Sequence, residues 1–183
     1  SQHLPIYNYS QNIFEIKAED FVDEFETKWA QSKGLSKDVN FTFSDLFKDK
    51  DRLSNSKKNN LVSFGYDFLK DLYSKGIIQI NYNSSNQSYG KILLKSSVVA
   101  EKRNVVDFYT VNTAANQINL ITKLSDSEYK FLVPILLSSI EQNILFDKLA
   151  SDELLNSELS NISTKRGLIV TGQVIINKGE LID

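Results

Sequence analysis

Cysteine and methionine are absent from this 183-residue chain, and histidine occurs once. Without cysteine there is no disulfide and no thiolate nucleophile, and the thiol count says nothing about redox compartment. The single imidazole is His3, near the start of the chain. With no thiolate beside it, zinc ligation of the usual kind is excluded, and His3 is a poor candidate for the positioned imidazole of a Ser-His-Asp triad. Neither a G-x-S-x-G elbow nor a phosphate-cradling glycine loop occurs. Arginine is scarce, with only Arg52, Arg103 and Arg166, and the net charge is −2. Such a chain has no basic field, so binding of nucleic acid by counterion release is not expected. The longest apolar run, Phe131 to Leu137, is interrupted by Pro134. It falls far short of the roughly 20 residues of a membrane span. Opening on Ser1-Gln2-His3 rather than methionine is what an excised fragment would show.

What is present is enough for a core. Eleven Phe, eight Tyr and 41% hydrophobic residues exclude a disordered chain, and the length suits one domain spanning 1–183. Pro5 to Tyr9 reads as extended. Phe21, Val22, Phe25 and Trp29 recur at helical steps and predict a helix ending near Gly34. Thr42 to Lys48 reads as a short helix and Lys48 to Asn60 as a solvated loop. Leu61, Phe64, Phe68 and Leu72 predict a second long helix closed by Gly76 at C′.

The period then changes. Ile77 to Tyr82 alternates like a strand, and Asn83 to Ser88 is a turn cluster. Lys91–Val99 and Val105–Val111 read as further strands joined by the charged link Ala100–Asn104. Ala114, Ile118 and Ile121 share a helical face. Ser125-Asp-Ser-Glu128 has capping-box spacing, and its helix is expected from Asp126 to about Gln142, with a kink at Pro134. Ser151 is the expected cap of a last helix with the stripe Leu155, Leu159 and Ile162. Short strands separated by Gly172 and Gly179 follow. The expected class is α+β: several amphipathic helices packed on a small antiparallel sheet, with a short C-terminal β appendix over 165–182.

No catalytic residue and no metal ligand set stands out. Asp45, Asp49 and Asp51 lack the glycine and terminal glutamate of an EF-hand loop. Pairs such as Asp20/Glu24 and Asp152/Glu153 read as solvated helix faces. The aromatic residues read mostly as core; Tyr109, on a strand of unassigned face, is the one carried forward as a ligand contact. Arg166 could grip an anion in bidentate fashion or cap a helix C-terminus. With Asn143 these make the candidate ligand-binding set Tyr109, Asn143 and Arg166, chosen by position. No cofactor is expected.

Several segments, in order, resemble one family. They are Pro5-Ile-Tyr7, Val106-Asp-Phe-Tyr-Thr110 with Ala114, Gln142-Asn-Ile-Leu-Phe-Asp147, Leu155 to Gly167, and the two-glycine run Gly172-Gln-Val-Ile-Ile-Asn-Lys-Gly-Glu-Leu-Ile182. Together they are similar to the extracellular domain of bacterial seven-transmembrane HD-hydrolase membrane proteins. The resemblance covers most of the chain and is tightest from Gln142 onward. It departs at Glu141-Gln142-Asn143, where the family often has proline before the asparagine. What it implies is a non-catalytic extracytoplasmic sensor, anchored to the inner membrane through flanking helices of its parent. The parent's cytoplasmic HD phosphohydrolase would cleave cyclic di-AMP. An unknown small ligand or cell-envelope component, or a homodimer, would be the partner. The alternatives are a structural or dimerisation module without a small ligand, and a freestanding carboxylate-based hydrolase.

Overall fold

The structure, a computed structural model, describes residues 4–32, 55–79, 90–96 and 99–166. Two long helices, α1 (Gln11–Ser32) and α2 (Asn55–Lys75), pack with α4 (Asp126–Ser138). Phe14, Ala18, Phe21, Phe25 and Trp29 of α1 fall on one stripe and are buried, the three-and-four spacing that keeps side chains on one helix face. Phe131 of α4 sets its ring edge against Phe25 and Trp29, with centroids 5.2 and 5.6 Å away. Close approach of α1 to α2 depends on Gly65, where a Cβ would meet the Phe21 ring at 2.3 Å. The short helix α3 (Val111–Asn119) contributes Ala114 and Ile118, and Ile121 follows it into the core.

Helix ends follow local chemistry. Gly76 ends α2 as the sequence predicts: its φ is +95° and its N–H bonds the Leu72 carbonyl at 3.1 Å. Glu128 reaches back to the Ser125 N–H at 2.9 Å and takes the Ser125 hydroxyl at 2.8 Å, fixing the start of α4. Its end comes earlier than Gln142. The Ser138 and Ser139 hydroxyls both bond the Ile135 carbonyl. The Tyr73 hydroxyl meanwhile donates to the Ser139 carbonyl and accepts the Glu141 N–H, holding residues 139–141 out of the helix. Pro134 lies within α4 on its exposed side.

Four strands form one sheet in the order β3-β2-β1-β4. They are β1 (Ile6–Tyr9), β2 (Lys91–Ser96), β3 (Val99–Asn104) and β4 (Ile144–Phe146). The α+β class is as expected, but the sheet is mixed: β1 runs parallel to β2, with Tyr7 opposite Leu94, and antiparallel to β4, with Tyr7 opposite Phe146. Strand positions also differ. The charged segment expected as a link is β3 itself, while 105–111 holds a 3-10 turn at Val105–Asp107, a short connector and the first residue of α3. An edge strand with little to pack against tolerates Glu101, Lys102 and Arg103, so it carries no apolar alternation. Residues 77 and 78 make single bridges, Ile77 to Tyr109 and Ile78 to Ile144; residues 80–82 of the strand expected there lie outside the described residues. Tyr7, Ile78, Ile92, Phe108 and Ile144 make a second, smaller core under this sheet.

The last described helix is α5 (Lys148–Arg166). Its cap is Asp147, whose Oδ1 accepts the Ala150 N–H at 3.0 Å, and not Ser151, which sits within the helix. Leu155 and Leu159 are 36% and 54% exposed, so the expected stripe is not buried. Residues 55–60, expected as loop, are the first turns of α2, where Lys58 pairs with Glu26 of α1. Residues 165 and 166 of the expected β appendix close α5; the rest of it lies outside the described residues, as do the predicted helix Thr42–Lys48 and the turn Asn83–Ser88.

Candidate functional site

The hydrogen-bonded heart of the molecule lies where the sheet meets α2 and α5. Asn143 is fully buried there. Its Oδ1 accepts the Ile77 N–H at 2.7 Å, and its Nδ2 donates to the Tyr73 carbonyl at 3.0 Å. Its backbone N–H donates to the Ile77 carbonyl, and its own carbonyl accepts the Ser10 N–H at 2.8 Å. Through its side chain and backbone together, this one residue ties the end of α2 to the approach to β4 and to the end of β1. Burial pushes the neighbouring Tyr73 phenol up to about 12, so this hydroxyl stays protonated as its donor role requires.

Tyr109 lies on the other side of the same segment. Its N–H donates to the Gly76 carbonyl at 2.9 Å, and its carbonyl accepts the Ile78 N–H at 2.7 Å. The Lys75 ammonium sits 4.1 Å above its half-buried ring. Tyr109 and Asn143 therefore flank residues 76–78. Arg166 is the final residue of α5, and its side chain lies outside the described residues. The structure brings the first two together and leaves the third at the far end of a helix.

A junction the sequence reading missed joins β1 to the first turn of α5. Asp147 uses both carboxylate oxygens: Oδ1 caps the helix, and Oδ2 accepts the Asn8 amide of β1 at 2.8 Å. The Asp147 N–H donates to the Ile6 carbonyl at 2.9 Å, and the Ile6 N–H donates to the Ser151 hydroxyl oxygen at 2.8 Å. The Ala150 N–H and then the Asn8 amide hold the Asp147 carboxyl below its usual range. An aspartate immediately before a helical run is an N-cap signal, so the cap was within reach of sequence reasoning. The reach across 139 residues to Asn8 was not.

A separate feature is the groove between α1 and α2, about 450 Å³ in volume. Phe14, Ala18, Val22 and Tyr66 line it, together with the carboxylates Glu15, Glu19 and Asp23. Among the described residues, no group of three or more His, Cys, Asp or Glu side chains could hold a metal ion. No helix among them is long and apolar enough to cross a membrane.

Comparison with known families gives a match along nearly the whole chain. Residues 2–183 fit the family model described as 7TM-HD extracellular. No curated protein and no solved structure matches the chain.

Proposed function

This chain belongs to the 7TM-HD extracellular family, and we propose that it serves there as a non-catalytic receiver. In this reading a ligand or envelope component binds outside the membrane and sets the activity of a cytoplasmic HD phosphohydrolase of the same polypeptide toward cyclic di-AMP. An extracellular domain of a membrane protein needs no catalysis of its own for that role. It needs two states and a mechanical link between them.

The observation that supports the reading is the junction of β1 with α5. Asn8 and Ile6 of the first strand are hydrogen-bonded to Asp147 and Ser151 at the head of the last described helix. These bonds join two distant parts of the chain. If membrane helices continue from the two ends of the domain, a shift of one relative to the other would load these bonds. The test uses the full-length parent in liposomes. Asn8→Ala combined with Asp147→Ala is expected to change the rate of cyclic di-AMP hydrolysis severalfold, while the detached cytoplasmic part keeps its own rate. An unchanged rate in the double variant, with the domain shown to be folded, overturns the proposal.

A dimerisation module is the second reading. It is favoured by the exposed Leu155 and Leu159, adjacent on one face of α5. Sedimentation of the chain, with and without Leu159→Glu, checks it: a dimer abolished by the substitution supports it, and a monomer at every concentration removes it.

A further inference from the structure

We propose that the groove between α1 and α2 binds a linear polyamine, a chain of ammonium groups separated by short methylene spacers. Glu15, Glu19 and Asp23 follow one another at four-residue steps, which sets them in a row about 6 Å apart along the helix. Beside that row lie Phe14, Ala18 and Val22 of α1 and the ring of Tyr66 of α2, 38% exposed. The groove is therefore a strip of apolar surface with negative charge repeated at a fixed interval along it.

The cations nearby are already engaged. Lys17 bonds Asp20 and Glu141, Lys28 bonds Glu24, and Lys58 bonds Glu26. Among the described residues, no lysine or arginine lines the groove. On the same helix, Asp20, Glu24 and Glu26 each have a lysine, whereas Glu15, Glu19 and Asp23 have no ion pair among the described residues. The difference follows the groove: the carboxylates that line it are the ones on this helix with no counter-ion among the described residues.

The spacing selects the ligand class. A calcium ion draws its oxygens to within about 2.3–2.6 Å, so three carboxylates strung along two turns of one helix cannot converge on it. In agreement, they form no group fit to hold a metal ion. Ammonium groups three or four methylenes apart repeat at nearly the interval of the carboxylates. The methylenes then lie on Phe14, Ala18 and Val22, and an ammonium can sit over the Tyr66 ring. Each exposed ion pair is worth only a small factor in affinity. Three on one ligand add up because the second and third form within a molecule already bound. As the input of the receiver proposed above, this assignment rests on that reading; the binding itself does not.

Spermidine is the probe, titrated into the 183-residue chain by calorimetry at low ionic strength. Backbone amide shifts are followed in parallel. The expected result is saturable binding that weakens with added salt and shifts the amides of Ala18, Val22 and Tyr66. Glu19→Gln should weaken it about 2- to 5-fold. The combined variant Glu15→Gln, Glu19→Gln, Asp23→Asn should lose saturable binding while melting as the parent chain does. Glu153→Gln, an exposed acid on α5, should change nothing, and Mg²⁺ should compete no better than sodium at equal ionic strength. Loss of the same size in Glu153→Gln, shifts that avoid the groove, or full binding by the triple variant overturns the proposal. Should the triple variant not fold, Glu19→Gln and Tyr66→Ala decide between the same outcomes. Spermidine binding that leaves hydrolysis by the full-length parent unchanged counts against the receiver and not against the groove.

Discussion

The helical body and the sheet end of this molecule are held together by different forces. In the body, Phe21, Phe25, Trp29, Leu69, Phe131 and Leu132 are almost wholly buried among one another. Its stability is apolar contact, which has no preferred direction and is lost gradually. At the sheet end the core is five residues, and the tie to the rest runs through directional bonds from Asn143, Asp147 and Ser151. Such bonds are made or unmade as units. The contrast teaches where a signal could be registered: the body resists change, and the sheet end has a small number of bonds that could switch.

The comparison breaks most visibly if the body is cut. Phe25→Ala removes a ring stacked on Trp29 and edged by Phe131, and chemical denaturation should show a loss of about 3–5 kcal/mol. Asn143→Ala should come next. It leaves the buried Ile77 N–H and Tyr73 carbonyl without partners, at about 1–3 kcal/mol for each. Hydrogen exchange should locate the loosening around residues 76–78 and 143–144 rather than in α1, and uniform loosening would mean the two regions are not separate. Gly76→Ala follows. The positive φ and the Ile144 methyl 2.3 Å from a new Cβ should cost about 1–2 kcal/mol, with α2 itself intact by circular dichroism.

Asp147→Ala is the smallest of the series, at about 1 kcal/mol for a lost helix cap, and it carries a pH signature. The folded carboxyl titrates lower than the unfolded one. Its contribution is therefore complete above the unfolded value of about 3.9 and disappears as pH falls through the lower folded value. Between those values the parent chain should lose stability on acidification more steeply than the variant. Parallel curves would remove Asp147 from the account.

Legibility divides along the same line. The stripes of α1, α2 and α3 and the Ser125–Glu128 start of α4 were readable because burial at period 3.6 leaves a mark in the residues themselves. The sheet was readable only in part. β3 is an exposed edge with charged side chains, so no alternation marks it. The parallel pairing of β1 with β2 joins residues that share no local pattern. Leu155 and Leu159 misled for the opposite reason: they have the period of a buried stripe, yet α5 leaves them exposed. Asn143 was picked out by position, but its role as a clasp between Ile77 and Tyr73 exists only once the chain is folded. The α1–α2 groove was invisible too, because its carboxylates look in sequence like any solvated helix face.

The place of β1 has a consequence for the timing of folding. Although it is the first of the described strands in the chain, both its neighbours, residues 93–95 and 144–146, are made much later. Pairings so far apart in sequence form slowly. During synthesis Ile6 to Tyr9 can gain its first neighbour only once residues 93–95 are made, and its second only after Phe146. Closing the sheet on both sides of that strand is therefore a late step of assembly, and until β4 docks residues 6–9 keep one open edge.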